Sequence, residues 1–521
     1  MPTLTIDGKQ ITVDPGTKVI EAALRLGIEI PRYCYHPGLS IAGNCRICMV
    51  EIEKMPRTQI SCNTDCTEGM VVRTNSDKVK ETRRYILEFL LVNHPLDCPV
   101  CDQAGECWLQ DYYMKYGLYD GRFYEEKVKK PKAVVVGPNV ILDAERCILC
   151  SRCVRFCDEI TKTSELGIVN RGDRGEIQVA PGRELDNKYS ANVVDICPVG
   201  ALTDRDFRFK CRVWYLQKQD SICTGCARGC NTEIHYNLDR PQHGGGDRVM
   251  RLKPRENQDV NKWWLCDAGR YSYKFIDENR IEQPSKRGLA PFEEKRNQKG
   301  PGPFWSQVLD DVAALIKNSQ KPFGVFASPQ LSNEELYLVR KLFSSNPQAR
   351  ITLLSPNLEG DQDDFLIRAD KNPNTMGARL IGFEPTAIDI TQIEGAIIFG
   401  QEVRSVEKLR WSVFIGSNQN LISESASFVL PSATYAEKNA TFTNFQGRVQ
   451  KFNKAFEPLG ESRPEWKILQ DLANRLGASW KYPNEEEIFN ELVREVPAFH
   501  GLSYEKIRTS GYLVKGGKKH D

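Results

Sequence analysis

The hydrophobic pattern near the start of the chain predicts a β-hairpin followed by helical structure. Residues 3–13, TLTIDGKQITV, form two alternating runs around Asp7-Gly8, a dipeptide typical of two-residue hairpin turns. Residues 76–92 show a helical period and end before His94-Pro95, as helices do ahead of proline. The residues of this helix expected to face a core are Val79, Ile86, Phe89 and Leu90.

Beyond residue 303 the pattern changes to strands that alternate with helices. Ser332 and Glu335 form a capping box ahead of a helix with one apolar side. Such alternation favours a parallel sheet. Residues 276–303 are rich in Lys, Arg, Gly and Pro and are predicted to be a linker. The strands predicted for the sheet are Phe323 to Ser328, Ile351 to Ser355, Gly395 to Gly400 and Trp411 to Gly416.

Length and charge narrow the class of protein. A chain of 521 residues holds several domains with real hydrophobic cores. Its 71 Lys and Arg nearly cancel its 69 Asp and Glu, so no general field attracts nucleic acid or an anionic membrane. No apolar run approaches the ~20 residues that span a bilayer. The N-terminus has no secretory pattern, which favours a reducing cytoplasm and membrane contact only through partners.

The cysteines are confined to one half of the chain. All 18 lie between Cys34 and Cys266. Thiols in a cytoplasmic protein of this size are more often metal ligands than disulfides. Together with one histidine they form four ligand sets, each named below by its first residue.

The Cys34 set has the spacing C-x10-C-x2-C-x13-C. It departs from the plant ferredoxin pattern, which has four residues before its C-x2-C pair, but the hairpin around it fits a ferredoxin-like 2Fe-2S domain. Cys66 competes with Cys62 for the fourth position, and Cys62 is favoured because TQISC predicts a strand leading into the loop. The set is Cys34, Cys45, Cys48 and Cys62.

The His94 set mixes one imidazole with three thiolates. One alternative is a zinc site with three cysteines and one histidine, and another is a histidine that merely precedes a proline at a helix end. The neighbouring sets favour a 4Fe-4S cluster. A histidine ligand would raise the potential of that cluster, as in Rieske centres. The set is His94, Cys98, Cys101 and Cys107.

The Cys147 set resembles half of a bacterial two-cluster ferredoxin. The run CILCSRCVRFC supplies three ligands, and the distant Cys197-Pro198 supplies the fourth. Cys157 then has no second cluster to serve and is predicted to be a buried thiol. The set is Cys147, Cys150, Cys153 and Cys197.

The Cys223 set has the spacing C-x2-C-x3-C, closed by a cysteine after 35 intervening residues. A 4Fe-4S cluster is the favoured occupant, and a zinc ribbon is the alternative. No role is predicted for Cys211. The set is Cys223, Cys226, Cys230 and Cys266.

Missing motifs indicate what the chain leaves to other proteins. It has no G-x-G-x-x-G after a strand and no G-x-x-x-x-G-K-[ST], so no phosphate cradle for NAD, FMN or ATP is predicted. No catalytic residues and no independent substrate site are expected. The chain is predicted to move electrons while other subunits perform the substrate chemistry.

In the order of its ligand sets the chain resembles the family of the large iron-sulfur subunit of respiratory complex I, which is the G subunit of bacterial NADH-quinone oxidoreductases. Residues 1–275 carry most of the likeness, and a stretch resembling the molybdopterin-derived C-terminal domain follows. The matching stretches are YCYHPGLSIAGNCRICMVEIE, NHPLDCPVCDQAGECWLQD, CILCSRCVRFCDEI, VVDICPVGALT and ASFVLPSATYAEKNATFTNFQGRVQ with RPEW beyond.

The resemblance implies one 2Fe-2S cluster, three 4Fe-4S clusters and no molybdopterin. It implies that electrons arrive from an NADH/FMN subunit and a small 2Fe-2S subunit, and leave toward a ferredoxin-like 4Fe-4S subunit and quinone. The Cys34, His94 and Cys147 sets would lie on that route, and the Cys223 set off it. The implied location is the hydrophilic arm of a membrane complex, on the cytoplasmic side of a bacterial inner membrane.

The expected fold class is multidomain α+β and α/β. The expected domains are a 2Fe-2S ferredoxin-like β-grasp domain (1–78), a 4Fe-4S segment with one histidine and three cysteine ligands (79–138), a 4Fe-4S ferredoxin-like domain (139–218), a molybdopterin-oxidoreductase-type 4Fe-4S domain (219–275), the linker (276–303) and a truncated molybdopterin-oxidoreductase-like α/β domain (304–521).

Three alternatives follow from the same residues. A formate dehydrogenase would need a longer catalytic region, and an iron-only hydrogenase would need further cysteines after Cys266. A zinc-stapled scaffold with no redox role is the third. Iron content and colour separate it from an electron carrier.

Overall fold

The computed structural model describes residues 1–287, 303–354, 360–400, 403 and 406–514. The chain divides into two units, Met1–Leu216 and Gln217–Asp521. No helix in these described ranges is long and apolar enough to cross a bilayer.

The first unit opens with a five-stranded β-grasp sheet in the order β2-β1-β5-β3-β4. Its hairpin turns at Asp7 (φ 45°) and Gly8 (φ 81°), which both adopt the left-handed conformation that a type I′ turn requires. The sheet and the helix packed on it enclose an apolar core that includes Leu4, Ile20 and Val72. The elements are β1 (Thr3–Ile6), β2 (Lys9–Thr12), α1 (Val19–Arg25), β3 (Met49–Ile52), β4 (Gln59–Ile60) and β5 (Val71–Arg73).

The rest of the first unit is built from short elements that carry long loops. A three-stranded sheet has the order β10-β7-β6, and β8 pairs with β9 as a separate antiparallel hairpin. The elements are α2 (Asp77–Leu91), α3 (Trp108–Tyr116), β6 (Val134–Val135), β7 (Val140–Leu142), α4 (Arg152–Arg155), β8 (Leu166–Val169), β9 (Glu176–Val179), α5 (Asn192–Ile196) and β10 (Leu202–Asp204).

Helix α2 confirms the predicted helix, and Ser76 caps it by accepting a hydrogen bond from the Val79 N–H. The expected inward position of Phe89 is wrong, because that side chain is 80% exposed. The buried positions are Val79, Arg83 and Leu87. Phe89 lies two residues past Leu87, or about 200° around the helix, and so faces away from that stripe.

The second unit combines an antiparallel sheet with a mostly parallel one. Strands β11, β12 and β13 form a meander, and a six-stranded sheet has the order β14-β19-β18-β17-β15-β16. All pairs of that sheet are parallel except β14 with β19. The elements are β11 (Gln217–Ile222), β12 (Asn231–Tyr236), β13 (Val249–Pro254), α6 (Asp267–Arg270), β14 (Ser285–Lys286), α7 (Pro303–Asn318), β15 (Phe323–Ala327), α8 (Asn333–Phe343), β16 (Ala349–Leu353), α9 (Thr375–Ile381), β17 (Gly395–Phe399), β18 (Trp411–Gly416), α10 (Leu421–Ser425), β19 (Phe428–Pro431), β20 (Ala440–Thr443), β21 (Arg448–Phe452), α11 (Glu465–Arg475), α12 (Glu485–Glu495), α13 (Tyr504–Ile507) and β22 (Tyr512–Leu513).

The predicted α/β pattern is confirmed in this unit. The four expected strands form the parallel sheet, with Ser355 of the second one outside the described residues. Ser332 and Glu335 form the predicted capping box of α8. Within the predicted linker, β14 is an ordered edge strand beside β19, and residues 288–302 lie outside the described part of the chain.

Candidate metal centres

The Cys34 set forms where two loops of the β-grasp sheet meet. Three of its thiols lie between α1 and β3, and Cys62 lies in a single turn after β4. The Cys34 N–H donates to the Cys45 sulfur at 3.4 Å. Hydrogen bonding with Cys45 lowers the pKa of the Cys34 thiol to about 5, and hydrogen bonding with Cys62 lowers that of Cys48 to about 7. The same hydrogen bonds raise the pKa of the partner thiols, Cys45 and Cys62, so one thiol of each pair is the more readily ionised metal ligand.

Cys66 has charged side chains rather than thiols as the neighbours that shift its pKa. Burial raises the pKa of its thiol, Glu21 and Asp65 raise it further, and Arg25 lowers it. Hydrogen bonding and burial also raise the pKa of Cys62, but there the acting charges are the other thiols of the set, starting with Cys48. The thiol neighbours of Cys62 favour it over Cys66 as the fourth ligand.

The His94 set occupies the loop between α2 and α3. All four residues line a cavity of about 530 Å³. The His94 Nδ1 is buried without a hydrogen-bond partner among the described residues, and Cys98 is exposed. Burial, with Arg146 and Lys127 nearby, lowers the pKa of His94 to about 4. A neutral imidazole is the form that binds a metal, and coordination would satisfy a buried ring nitrogen.

The loop after Cys197 brings the His94 set against the Cys147 set. The Trp108 N–H donates to the Pro198 carbonyl at 3.0 Å. A Cβ on Gly200 would lie 2.4 Å from the Cys101 sulfur, so only glycine permits this approach. Burial raises the pKa of Cys107 to about 12, and the thiols of Cys101 and Cys197 act on it in the same direction. The cysteine spacing did not single out Gly200, although this residue follows Cys197-Pro198 closely.

The Cys147 set surrounds a small cavity, which all four thiols line together with apolar side chains such as Leu142 and Ile177. Leu149 and Ser151 adopt positive φ angles of 53° and 60°, which turn the loop tightly between the first three thiols. The Leu149 N–H donates to the Cys147 sulfur at 3.4 Å. Helix α4 carries Cys153, and Cys197 follows α5. A strained loop of this kind is typical of a functional site.

Cys157 lies outside this cavity, four residues past Cys153. It is fully buried, and burial raises the pKa of its thiol to about 12 with Glu165 and Asp158 acting in the same direction. Its position agrees with the prediction of a buried thiol.

The Cys223 set belongs to the second unit, and all four thiols are buried. The Cys223 N–H donates to the Cys230 carbonyl at 2.8 Å, which closes the loop between β11 and β12. Cys266 caps α6, and its sulfur accepts from the Gly269 N–H at 3.3 Å. A Cβ on Gly269 would lie 2.9 Å from the Cys223 sulfur and 3.3 Å from that of Cys266. Burial raises the pKa of the Cys230 thiol, and the thiols of Cys223, Cys226 and Cys266 raise it further.

The three sets of the first unit border one apolar core. Tyr33, Leu109, Tyr112 and Val199 lie in this core, beside thiols from each set. Those thiols are Cys34, Cys45, Cys107, Cys147, Cys150 and Cys197. The core therefore separates the candidate centres by packed side chains rather than by solvent.

The donor chemistry suits iron-sulfur clusters. The four residues of the His94 set line one cavity, and the four of the Cys147 set line another. Within the described ranges, no three His, Cys, Asp or Glu side chains are placed to hold a single metal ion. Soft thiolates with one imidazole are suitable ligands for iron-sulfur clusters.

Family models match successive parts of the chain. The first unit matches a 2Fe-2S iron-sulfur cluster binding domain (1–77), an NADH-ubiquinone oxidoreductase-G iron-sulfur binding region (83–122) and the ferredoxin-like domain of NADH-quinone oxidoreductase subunit 3 (137–203). The second unit matches an NDSU1/NuoG-like 4Fe-4S domain of NADH-ubiquinone oxidoreductase (217–274) and a molybdopterin oxidoreductase model (384–475). The multidomain fold class predicted from the sequence is thereby confirmed.

Two curated relatives align over nearly the whole chain. The G subunit of NADH-quinone oxidoreductase from Rickettsia bellii is 30% identical, covering 96% of this chain and 90% of that protein. The NADH-ubiquinone oxidoreductase 75 kDa subunit of Reclinomonas americana is 29% identical, covering 99% and 94%. The first alignment spans 633 positions against the 521 residues here, so the relative has more than 100 residues without a counterpart in this chain.

Among solved structures, an NAD+-reducing [NiFe]-hydrogenase in its H2-reduced state is 33% identical, covering 41% of this chain and 91% of that chain with a TM-score of 0.37. The full-length relatives and the cluster-binding domains together carry the assignment. The chain belongs to the G-subunit family of the NADH-quinone oxidoreductases.

Proposed function

We propose that this chain is the subunit of complex I that relays electrons from the NADH-oxidising subunits toward quinone through its own iron-sulfur clusters. The Cys34 set would hold a 2Fe-2S cluster, and the His94, Cys147 and Cys223 sets would each hold a 4Fe-4S cluster. The C-terminal domain would bind no molybdopterin and would act as a scaffold.

The contiguity of three ligand sets around one apolar core is the observation that carries this proposal. Electron tunnelling slows steeply with distance, so a relay needs neighbouring centres. The apolar core that contains Tyr33 also contains thiols of the Cys34 and Cys147 sets. The Trp108–Pro198 hydrogen bond joins the segments that carry Cys107 and Cys197. These contacts support a continuous route through the first unit.

The partners follow from what the chain lacks. Its sequence has no dinucleotide or phosphate motif, so NADH oxidation and FMN would belong to another subunit. A small 2Fe-2S subunit would supply electrons, and a ferredoxin-like 4Fe-4S subunit would receive them. The chain would sit in the peripheral arm on the cytoplasmic side of a bacterial inner membrane, and no nucleic acid is involved.

The same proposal assigns each centre to a domain. The boundaries are those expected from the sequence, with 1–78, 79–138, 139–218 and 219–275 each holding one ligand set. The Cys223 set lies in the second unit and would be off the main route, while the other three sets would lie on it.

Metal analysis tests the proposal against a zinc-stapled scaffold. We expect about 14 iron atoms per chain from one two-iron and three four-iron clusters. The purified protein should be brown and should bleach when dithionite is added. Near-stoichiometric zinc in a colourless, folded protein would overturn the electron-transfer function.

Replacing His94 with cysteine should keep a cluster and lower its midpoint potential. A fourth thiolate adds negative charge to the centre and so disfavours the reduced state. The measurement is a redox titration of the assembled complex followed by low-temperature electron paramagnetic resonance. Signals of the other clusters in the same sample are the internal control. An unchanged midpoint in His94→Cys would count against His94 as a ligand.

A further inference from the structure

Arg152 contacts a neighbour of one proposed ligand in each set of the first unit. Its Nη1 donates to the carbonyl of Ile196, the residue before Cys197, at 2.9 Å. Its Nη2 donates to the carbonyl of Tyr35, the residue after Cys34, at 2.5 Å. Its guanidinium lies 4.6 Å from the ring centroid of Trp108, the residue after Cys107. The side chain thus lies where the three sets approach one another.

This guanidinium is buried without an acidic partner. Arg152 is 2% exposed and forms no salt bridge with any residue that the structure describes. Its Nε has no hydrogen-bond partner there either. Arg32 lies 5.5 Å from the same Trp108 ring and adds a second positive charge. Arg208, whose side chain is 9% exposed, differs because it pairs with Asp143 at 2.8 Å.

A buried charge without a counter-charge is costly, so a compensating group is expected. Burial lowers the pKa of Arg152, and the opposing charges are the thiols of Cys150, Cys197 and Cys45. These thiols come from the Cys147 and Cys34 sets. The negative charge that would balance Arg152 is therefore that of the ligand sets themselves.

We infer that Arg152 carries a fixed positive charge close to more than one iron-sulfur centre, and that this charge raises the reduction potentials of those centres. The inference rests on the proposed function. A cluster held by four thiolates is negative and gains a further negative charge on reduction. A nearby cation that cannot move away stabilises that reduced state most. Hydrogen bonds to the Ile196 and Tyr35 carbonyls hold the charge in place.

Redox titration of the assembled complex with variants at this position tests the inference. In Arg152→Gln we expect the clusters of the Cys34 and Cys147 sets to become harder to reduce by about tenfold in equilibrium constant, which is about 59 mV for one electron. In Arg152→Lys, which keeps the charge, most of this shift should be absent. Arg208→Gln is the matched control, because it removes a largely buried arginine that has its own carboxylate, and it should leave both midpoints unchanged.

Each outcome decides the inference separately from the proposed function. Unchanged midpoints in Arg152→Gln, or equal shifts in the Gln and Lys variants, would overturn the role of the charge. Arg152→Gln could lose its cluster signals altogether. In that case, wild-type midpoints in Arg152→Lys would support the role of the charge. Loss of the signals in Arg152→Lys as well would overturn that role. Absence of iron-sulfur signals from the wild-type complex would instead reject the proposed function.

Discussion

Replacing Cys150 with serine should abolish electron transfer from NADH to quinone in the assembled complex. Cys150 is buried and lines the Cys147 cavity, where a serine oxygen is a poor substitute for a thiolate. Losing even a partner of a metal ligand lowers metal affinity about 10–100-fold, so losing the ligand should reduce turnover by about 100-fold or more. The measurement is NADH oxidation coupled to quinone, with the Cys147-set signal followed by electron paramagnetic resonance.

Cys157→Ser is the matched control for this experiment. It changes a buried cysteine of the same run that does not line the cavity. We expect it to retain the cluster signal and most of the turnover. Normal turnover in Cys150→Ser, or loss of the signal in Cys157→Ser alone, would show that the ligands of this set are wrongly assigned.

Replacing Lys438 with methionine should strongly destabilise the second unit. Lys438 is buried, and its Nζ lies 2.7 Å from a Glu335 oxygen and 2.6 Å from a Glu465 oxygen. The substitution leaves two buried carboxyl groups without their cation. Breaking a buried ion pair in this way costs about 3–5 kcal/mol. Helices α8 and α11 carry the two carboxylates, so hydrogen exchange of their amides measures the loss locally.

The destabilisation by Lys438→Met should be smaller at low pH. Burial and the charge of Glu335 already raise the pKa of Glu465 to about 8 in the native protein. Without the lysine both carboxyl groups would bind protons more readily in the folded state than in the unfolded state. Proton binding then favours folding as the pH falls, and the penalty grows as the pH rises.

Lys454→Met serves as the control because Lys454 pairs with Glu457 at the surface. Exposed pairs contribute only about 0–1 kcal/mol. Equal changes in exchange for the two variants, or a loss in Lys438→Met that does not depend on pH, would contradict the buried network.

Local sequence rules predicted the elements well. The turn at Asp7-Gly8 and the Ser332–Glu335 capping box depend on residues a few positions apart, so short-range chemistry decides them. The orientation of α2 was less predictable. Phe89 fits an apolar pattern but faces outward, because the packing of the whole helix selects the buried stripe.

The sequence by itself predicted which residues group into ligand sets at short range. A C-x2-C spacing places both sulfurs in one loop, and this does not depend on the rest of the fold. It also determined the family, since the order of the sets carries the resemblance.

Only the tertiary structure decided how distant segments meet. It brings Cys62 beside Cys48, leaves Cys157 outside the Cys147 cavity and brings Gly200 against Cys101. It also buries Arg152 among three sets. Spacing along the chain cannot determine such contacts, because closing a long loop costs nearly the same entropy for many partners and packing selects among them.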